Sequence, residues 1–513
     1  MIYSINVASF LVRSRLPNAA ATLCALALLA FSTPVQAQRG GDAITAKDLR
    51  PHIRVLASDE FEGRESGSGQ LKTIHYIADQ LKKAGVQPGA AGGSWFQPID
   101  IMRRVPKGAE VSLQARGKTI PMPEDTIVLS APVQVAHLTN APVVFVGYGV
   151  QERGYENLSG ADLNGAVVLV LEAPENAELR TDWHTTRRRI AERGAAAIIS
   201  IYPQGFAWKN LRDGWLKGTN QLEEQAARTV EGVMPPAQAE KITEGSGMNF
   251  GELSKAAEGK DFRAVALNAS MTASIRTLVH PLRRYNVIGR IPGRGATAEA
   301  VALMGHWDAF GICRPEGAQD RICNGAADNA SGLAVILELA ERLASAKQER
   351  DILFIATGAE ETGSLGAKAF LNDPVLPLDR LIAVLNIDTV ALTPKGKPIG
   401  ITGLGKTPMD GPIGIVARIL GRKVDASGEA NNYLYRLDSG PFLQRGVPAV
   451  TAQGFYTDKE TRDAYEAGAY HNPNDEYSNQ MELGGAAEDA NFNLMLIRLL
   501  ADPKQYVPPT RVQ

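Results

Sequence analysis

Residues 300–308 read Ala-Val-Ala-Leu-Met-Gly-His-Trp-Asp, an apolar run that ends in a histidine and an aspartate. Such a run is typical of a strand that is buried on both faces of a parallel sheet. Similar runs at residues 352–356, 381–387 and 448–452 predict further strands. The apolar residues within 333–343 recur at helical spacing, which predicts an amphipathic helix that covers the sheet. We therefore predict an α/β fold, a three-layer α/β/α domain with a mostly parallel central sheet.

The N-terminal half of the chain has a different texture. Residues 71–84 carry a helical apolar stripe, and Gly85 is placed to cap the C-terminus of that helix. Between residues 111 and 280, short β-rich runs such as 141–150 and 166–171 are separated by glycine, proline and asparagine. This pattern predicts a separate β-rich module.

Composition and charge restrict the class of protein. The chain has 54 basic and 56 acidic residues among 513, and 44% of its residues are hydrophobic. These values are ordinary for globular proteins, and the near-zero net charge argues against a nucleic-acid partner. Arg187, Arg188 and Arg189 are too few to indicate a binding patch, so we interpret them as a solvated helix face.

The N-terminus has the pattern of an export signal. Arg13 and Arg15 precede an apolar run at residues 19–31, and Val-Gln-Ala, ending at Ala37, has the small-residue pattern of a cleavage site. We predict that residues 1–37 are a signal peptide, that the mature protein has no membrane span, and that it is periplasmic or secreted.

The cysteines agree with an exported protein. Cys24 lies in the predicted signal peptide, which leaves Cys313 and Cys323 in the mature chain. In an oxidising compartment such a pair forms a disulfide by default.

The stretch from Gly400 to Thr407 fits the phosphate-loop pattern GxxxxGK[ST], which would indicate a nucleotide-binding protein. A phosphate loop passes directly into a helix whose amides face the phosphates. Here Pro408, Gly411 and Pro412 follow and delay a helix, so we interpret the match as accidental.

Five side chains of metal-binding type lie just beyond predicted strands or in adjoining loops: His306, Asp328, Glu361, Asp388 and His471. Imidazole and carboxylate ligands without thiolate suit zinc, with cobalt or manganese as possible substitutes. Five protein ligands are too many for one catalytic zinc. We therefore predict two metal ions bridged by Asp328, one with His306 and Asp388 and the other with Glu361 and His471.

Glu360 has a separate role in this hypothesis. Neighbouring side chains in extended backbone point in opposite directions, so Glu361 can bind metal while Glu360 faces the substrate. Glu360 is therefore the predicted general base.

The motifs Gly305-His306-Trp307-Asp308, Asp328-Asn329-Ala330-Ser331-Gly332, Ala359-Glu360-Glu361-Thr362-Gly363, Asn386-Ile387-Asp388 and Tyr470-His471 resemble those of the co-catalytic zinc aminopeptidases related to aminopeptidase Y and glutamate carboxypeptidase. The leader at residues 56–64, which ends in Gly63-Arg64, is also similar. The resemblance implies that the β-rich module is a protease-associated domain inserted into the peptidase domain. The implied division is a signal peptide at 1–37, peptidase parts at 38–110 and 281–513, and the inserted domain at 111–280.

The resemblance also implies catalytic roles. The carboxylate of Asp308 would orient His306 by accepting its second N–H, and Glu360 would be the proton shuttle. Tyr470 would donate a hydrogen bond to the developing oxyanion.

The sequence departs from the family pattern in two places. His306 and Asp328 are 22 residues apart (328 − 306), which is longer than usual, and the extra loop carries both mature cysteines. Where many relatives have Ser-Asp-His, this chain has Leu-Asp-Ser at residues 437–439, which leaves Arg436 as the candidate specificity residue.

The leading hypothesis is an exopeptidase that removes N-terminal residues from peptides through a metal-bridging hydroxide, because an anionic cleft suits a protonated amine. Carboxypeptidase activity and a one-zinc, glutaminyl-cyclase-like reaction are alternatives on the same fold. A third hypothesis is that the chain is a non-catalytic binding protein. It is disfavoured because none of the ligands is missing.

Overall fold

The computed structural model describes residues 43–172, 176, 179, 183–202, 207–225 and 229–509. The predicted signal peptide at residues 1–37, with its cleavage site and Cys24, lies outside these residues. Among the described residues, none of the helices has both the length and the apolar composition that crossing a bilayer requires.

The strands differ in length, and the longest are two that pair with each other, at residues 96–115 and 265–291. The strands are β1 Gln87–Pro88, β2 Phe96–Ala115, β3 Lys118–Ile120, β4 Val128–Ser130, β5 Val135–Phe145, β6 Val167–Leu171, β7 Ala197–Ile201, β8 Thr219–Leu222, β9 Val230–Met234, β10 Val265–Ile291, β11 Ala300–His306, β12 Gly311–Ile312, β13 Ile322–Cys323, β14 Asp351–Thr357, β15 Leu381–Asn386, β16 Gly400–Thr402 and β17 Ala449–Gln453.

Two blocks of parallel strands form the central sheet. One block has the order β17-β15-β11-β14, and the other has the order β5-β6-β7-β9. The long strand β10 lies between the blocks and runs antiparallel to β14 and to β5. The second block lies within the residues assigned from the sequence to a β-rich module, and β10 makes the sheet continuous with it. The predicted mixed α/β fold with a large, mostly parallel sheet is confirmed.

Helices cover both faces of the first block. The α-helices of the described residues are α1 Ala46–Leu56, α2 Gly67–Lys83, α3 Trp183–Glu192, α4 Trp208–Lys217, α5 Pro236–Gly245, α6 Phe250–Ala256, α7 Ser331–Ala344, α8 Leu365–Asn372, α9 Asp410–Ile419, α10 Ser439–Gln444, α11 Lys459–Gly468 and α12 Gly484–Leu500. Phe370 of α8 and Phe442 of α10 pack with Ala302 and Met304 of β11 on one face. Helix α7 packs on β11, and α12 packs beside α7. Because side chains alternate along a strand, the other face of β11 is available to α7.

The predicted helix at residues 71–84 corresponds to α2, which begins four residues earlier, at Gly67. Ala84 caps α2, and Gly85 follows with φ +89°, a conformation that glycine adopts without strain. The strand predicted at residues 141–150 is β5, which ends at Phe145. The prediction ran too far because Gly147 and Gly149 have positive φ and turn the chain out of the sheet.

The arginine triplet lies on α3, but its interpretation as a solvated face is wrong for Arg187. This side chain is buried and pairs with Glu231 at 3.2 Å and Glu172 at 3.3 Å. Arg188 is exposed. The helix turns Arg187 toward carboxylates of the strand layer, which a local charge count does not reveal.

The phosphate-loop pattern does not form a phosphate loop. Strand β16 ends at Thr402, and α9 begins only at Asp410. The glycine-rich stretch therefore does not pass directly into a helix, as a phosphate site requires.

Candidate metal centre

The carboxyl ends of adjacent parallel strands bring three of the predicted ligands to one edge of the sheet. His306 is the last residue of β11, Glu361 lies four residues beyond β14, and Asp388 lies two residues beyond β15. Asp328 precedes α7, and His471 lies in the loop after α11. The structure brings all five predicted ligands together.

The five side chains form two groups that share one aspartate. In the inner group (His306, Asp328 and Asp388), His306 Nε2 lies 3.1 Å from Asp328 Oδ1 and 3.5 Å from Asp388 Oδ1. In the outer group (Asp328, Glu361 and His471), His471 Nε2 lies 3.4 Å from Asp328 Oδ2 and 3.2 Å from Glu361 Oε2. The two oxygens of Asp328 therefore face different histidines.

The donor atoms fit divalent metal ions. Within each group, one nitrogen or oxygen from each residue lies within 4.8 Å of the others. Glu361 Oε1 is buried and has no hydrogen-bond partner among the described residues, although such a buried oxygen normally has one. A metal ligand set made of imidazole and carboxylate groups is typical of zinc.

Electrostatic repulsion among the buried carboxylates of the two groups also indicates a site for cations. Burial, reinforced by the neighbouring Asp328 and opposed by His471, raises the pKa of Glu361 to about 8. Burial by itself lowers the pKa of His471, but hydrogen bonds to the Asp328 and Glu361 carboxylates outweigh it and raise the pKa to about 9. Protons and cations therefore compete for these groups, and bound cations relieve the repulsion.

Asp308 contacts His306 differently from the prediction. Its backbone carbonyl oxygen lies 3.0 Å from His306 Nδ1, whereas its carboxylate Oδ1 is 3.9 Å away. The carboxylate instead accepts the backbone N–H groups of Glu360 at 3.1 Å and Glu361 at 3.3 Å. The predicted hydrogen bond from His306 to the Asp308 carboxylate is therefore not formed. The backbone bends after His306, so the Asp308 carbonyl faces the imidazole and the Asp308 carboxylate faces the loop that carries Glu360 and Glu361.

Asp475 supports the bridging ligand, and the sequence analysis did not identify it. Its carboxylate accepts the backbone N–H groups of Ala327 at 2.8 Å and Asp328 at 3.1 Å, and the Tyr465 hydroxyl donates to it at 2.8 Å. The only signal in the sequence was an acid four residues after His471, which by itself is common in loops.

Arg64 lies beneath the centre, fully buried. Its guanidinium donates to four backbone carbonyls, those of Trp307, Leu56, Asn324 and Gly325, at 2.5–2.8 Å. These bonds link the strand that carries His306 to the loop that leads to Asp328. The leader motif contained Arg64, but a motif does not show which backbone groups a side chain reaches.

Asn329 connects the ligand loops from the other side. Its Nδ2 donates to the carbonyl of Ile387, and its Oδ1 accepts the N–H groups of Gly332 and Thr389. A Cβ at Gly332 would lie 2.2 Å from Asn329 Oδ1, so only glycine fits this close approach.

An aromatic-rich cleft opens above the inner group. Glu360, Tyr470 and Arg436, all singled out from the sequence, line it together with the inner ligands. Burial raises the pKa of Glu360 above its ordinary value, and nearby Asp438 adds to the shift. Asp438 itself is buried and accepts a hydrogen bond from Thr357.

A disulfide-linked hairpin lies against the loop that carries His471. Strands β12 and β13 pair antiparallel, and Cys313 and Cys323 form the disulfide. Cys323 Sγ lies 3.7 Å from the carbonyl oxygen of His471, and the Phe310 ring lies 4.1 Å from the His471 ring. The extra residues between His306 and Asp328 thus form a support for the outer group.

Comparison with known proteins identifies the domain around this centre. Residues 286–495 match the model of peptidase family M28. The chain carries a family M28 peptidase domain. The resemblance inferred from the motifs is therefore confirmed for this domain. The match begins at residue 286, so the protease-associated assignment of residues 111–280 stays a prediction.

Among curated proteins, the chain is 38% identical over 82 residues to the alkaline phosphatase isozyme conversion protein of Escherichia coli K12. The matched segment is 15% of this chain and spans about a quarter (24%) of that relative.

Among solved structures, the chain is similar to an aminopeptidase from Aneurinibacillus sp. strain AM-1. The TM-score is 0.52 at 20% identity, with 92% of this chain and 97% of that chain covered. At this identity the likeness shows a common fold. A zinc aminopeptidase of Bacillus subtilis gives a TM-score of 0.46 at 17% identity, with 91% and 97% covered.

Proposed function

We propose that this chain is an exported aminopeptidase that binds two zinc ions and removes N-terminal residues from peptides. The observation that supports this proposal most directly is the position of Asp328. Its two carboxylate oxygens face two different histidines, and each histidine lies near a further carboxylate. That arrangement supports one bridging ligand and two metal positions. The leader pattern at residues 1–37 and the disulfide support export.

The side chains of the cleft support peptide hydrolysis. Zinc ions held by the two groups would lower the pKa of a water and polarise the scissile carbonyl. Glu360, whose pKa is raised by burial, takes the proton of the attacking water and returns it to the leaving amine. The Asp308 carboxylate holds the backbone of Glu360 in place through its N–H.

Tyr470 is placed to stabilise the developing charge on the scissile oxygen. It lines the cleft, and burial keeps its pKa above the ordinary value, so that the phenol remains a hydrogen-bond donor. Its ring stacks on that of His471 at 3.5 Å between centroids, which fixes the direction of the hydroxyl.

The polarity of the cleft favours the N-terminal end of a peptide. Glu360 lines the cleft together with the inner-group carboxylates of Asp328 and Asp388, and carboxylates attract a protonated amine. Phe455 and Tyr456 supply an apolar surface for the first side chain.

The test combines metal content with turnover of an aminoacyl-nitroanilide. We expect two zinc ions per chain, and activity that disappears with chelator and returns with zinc. Glu360→Gln should keep both ions and lower kcat by about 10²- to 10⁴-fold, because the general base is lost. Glu349→Gln, at an exposed glutamate, is the matched control.

Other results would contradict the proposal. One zinc per chain together with pyroglutamate formation would indicate a cyclase, and release of C-terminal residues would indicate a carboxypeptidase. Binding of peptides that survives Glu360→Gln, without turnover in either protein, would indicate a binding protein.

A further inference from the structure

Two arginines lie against the ring of Tyr433 but differ in their surroundings. The guanidinium carbons of Arg436 and Arg462 lie 5.1 and 5.7 Å from the ring centroid. Arg462 is buried, donates to the carbonyl of Tyr456 at 2.7 Å and contacts Asp463 at 3.3 Å. Its role is therefore structural.

Arg436, in contrast, is exposed and lines the cleft. Its Nη2 lies 3.5 Å from the Tyr470 hydroxyl. No carboxylate of the described residues lies within ion-pair distance of it; Asp328, Glu360, Asp388 and Glu466 line the same cleft, and Glu466 acts on Arg436 at longer range. The contact with the Tyr433 ring restrains the guanidinium, and because the side chain is exposed, the N–H groups that do not face Tyr470 are open to a ligand.

The positive charge of Arg436 restricts which part of a substrate can bind beside it. A guanidinium next to the amine site would repel a protonated N-terminus, so it suits an anionic part of the substrate. The planar fork of arginine matches a carboxylate with two parallel hydrogen bonds.

We propose that Arg436 binds the C-terminal carboxylate of dipeptides, so that this enzyme prefers dipeptides to longer or amidated peptides. The inference rests on the proposed aminopeptidase function. If Tyr470 holds the scissile oxygen, a donor 3.5 Å away is within reach of the next residue of the substrate, because an extended residue spans at most about 3.3–3.6 Å. In a dipeptide the group at that place is the terminal carboxylate.

The experiment compares hydrolysis of Leu-Ala with that of Leu-Ala-amide. We expect kcat/KM of the native enzyme to be about 10- to 100-fold higher for the free acid, mainly through KM. Arg436→Gln should bring the ratio close to one, and Arg436→Lys should give an intermediate ratio because the charge remains but the fork is lost. Taking the ratio cancels any general loss of activity in these variants.

Arg445→Gln is the matched control, because Arg445 is exposed, lies near the end of α10 and does not line the cleft. This variant should keep the native ratio. Equal rates for acid and amide in the native enzyme would overturn the inference, as would a ratio that persists in Arg436→Gln.

Two further outcomes are distinguishable. A preference for Glu-nitroanilide over Gln-nitroanilide that Arg436→Gln abolishes would place the bound carboxylate on the first side chain and overturn the C-terminal assignment. Failure of the native, zinc-loaded enzyme to hydrolyse any of these substrates would overturn the proposed function itself, whereas equal rates would overturn only the role of Arg436.

Discussion

The inner and outer ligand groups share Asp328 but are held by different parts of the fold. In the inner group, His306 ends a buried strand, and its side chain is only 2% accessible. In the outer group, His471 lies in a loop, has φ +58°, and its side chain is 33% accessible. The outer histidine depends on the disulfide hairpin and on Tyr470, whereas the sheet holds the inner one.

If zinc ions occupy both groups, as proposed, this difference predicts that the two ions are held with different stability. Ligands on strand ends lose little freedom when a metal binds, because packing has already fixed them. A ligand on an exposed loop must be ordered by its neighbours, and water reaches it more easily. We therefore expect the outer metal to exchange first.

The largest effect should follow from Asp328→Asn, because this change removes the anionic bridge from both groups. We expect both zinc ions to be lost and nitroanilide hydrolysis to fall by more than about 100-fold, beyond the usual effect of altering a residue that only supports a ligand. Elemental analysis and a rate assay measure this. Asp261→Asn, at an exposed aspartate, is the control. Retention of the inner metal in Asp328→Asn would show that the groups are independent.

A smaller and selective effect is expected when the hairpin is opened. The double change Cys313→Ser/Cys323→Ser should weaken zinc at the outer position by about 10- to 100-fold, because the support of His471 is loosened. Titration with zinc in the presence of a competing chelator measures both affinities. The inner position is the internal control, and an equal loss at both positions would contradict the assignment of the hairpin to the outer group.

The smallest effect concerns pH after the metal has been removed by chelation. Folding raises the pKa of His471 to about 9 and that of Glu361 to about 8. The folded protein therefore binds more protons than the unfolded chain, and stability should fall as pH rises from about 4.5 to 9. Thermal unfolding at several pH values measures this. With zinc in place of the protons, the midpoint should change less over the same range; an identical pH dependence with and without zinc would contradict the argument.

The parallel strands and the candidate ligands at their ends could be predicted because each depends on a local sequence pattern. The runs before His306 and Asp388 are apolar, and the ends of parallel strands meet at one edge of a sheet. Five candidate ligand residues at such positions predicted two metal ions.

The supporting contacts could not be predicted, because they join residues that are distant in the chain. Arg64 reaches the carbonyl of Asn324, 260 residues away, and Asp475 reaches the N–H of Asp328, 147 residues away. Asp308 was assigned the right neighbourhood but the wrong hydrogen bonds, because a turn of the backbone decides whether a carbonyl or a carboxylate faces His306.

The residue types and their order along the chain were sufficient to specify an α/β fold, the peptidase-like motifs and the five candidate ligands, since apolar periodicity and ligand chemistry are local properties. Only the folded chain decided which oxygen of Asp328 faces which histidine, that the hairpin supports His471, and that Arg436 contacts Tyr470 in the cleft whereas Arg462 is buried against the backbone. These features depend on distances between segments far apart in sequence, and such distances are set by packing.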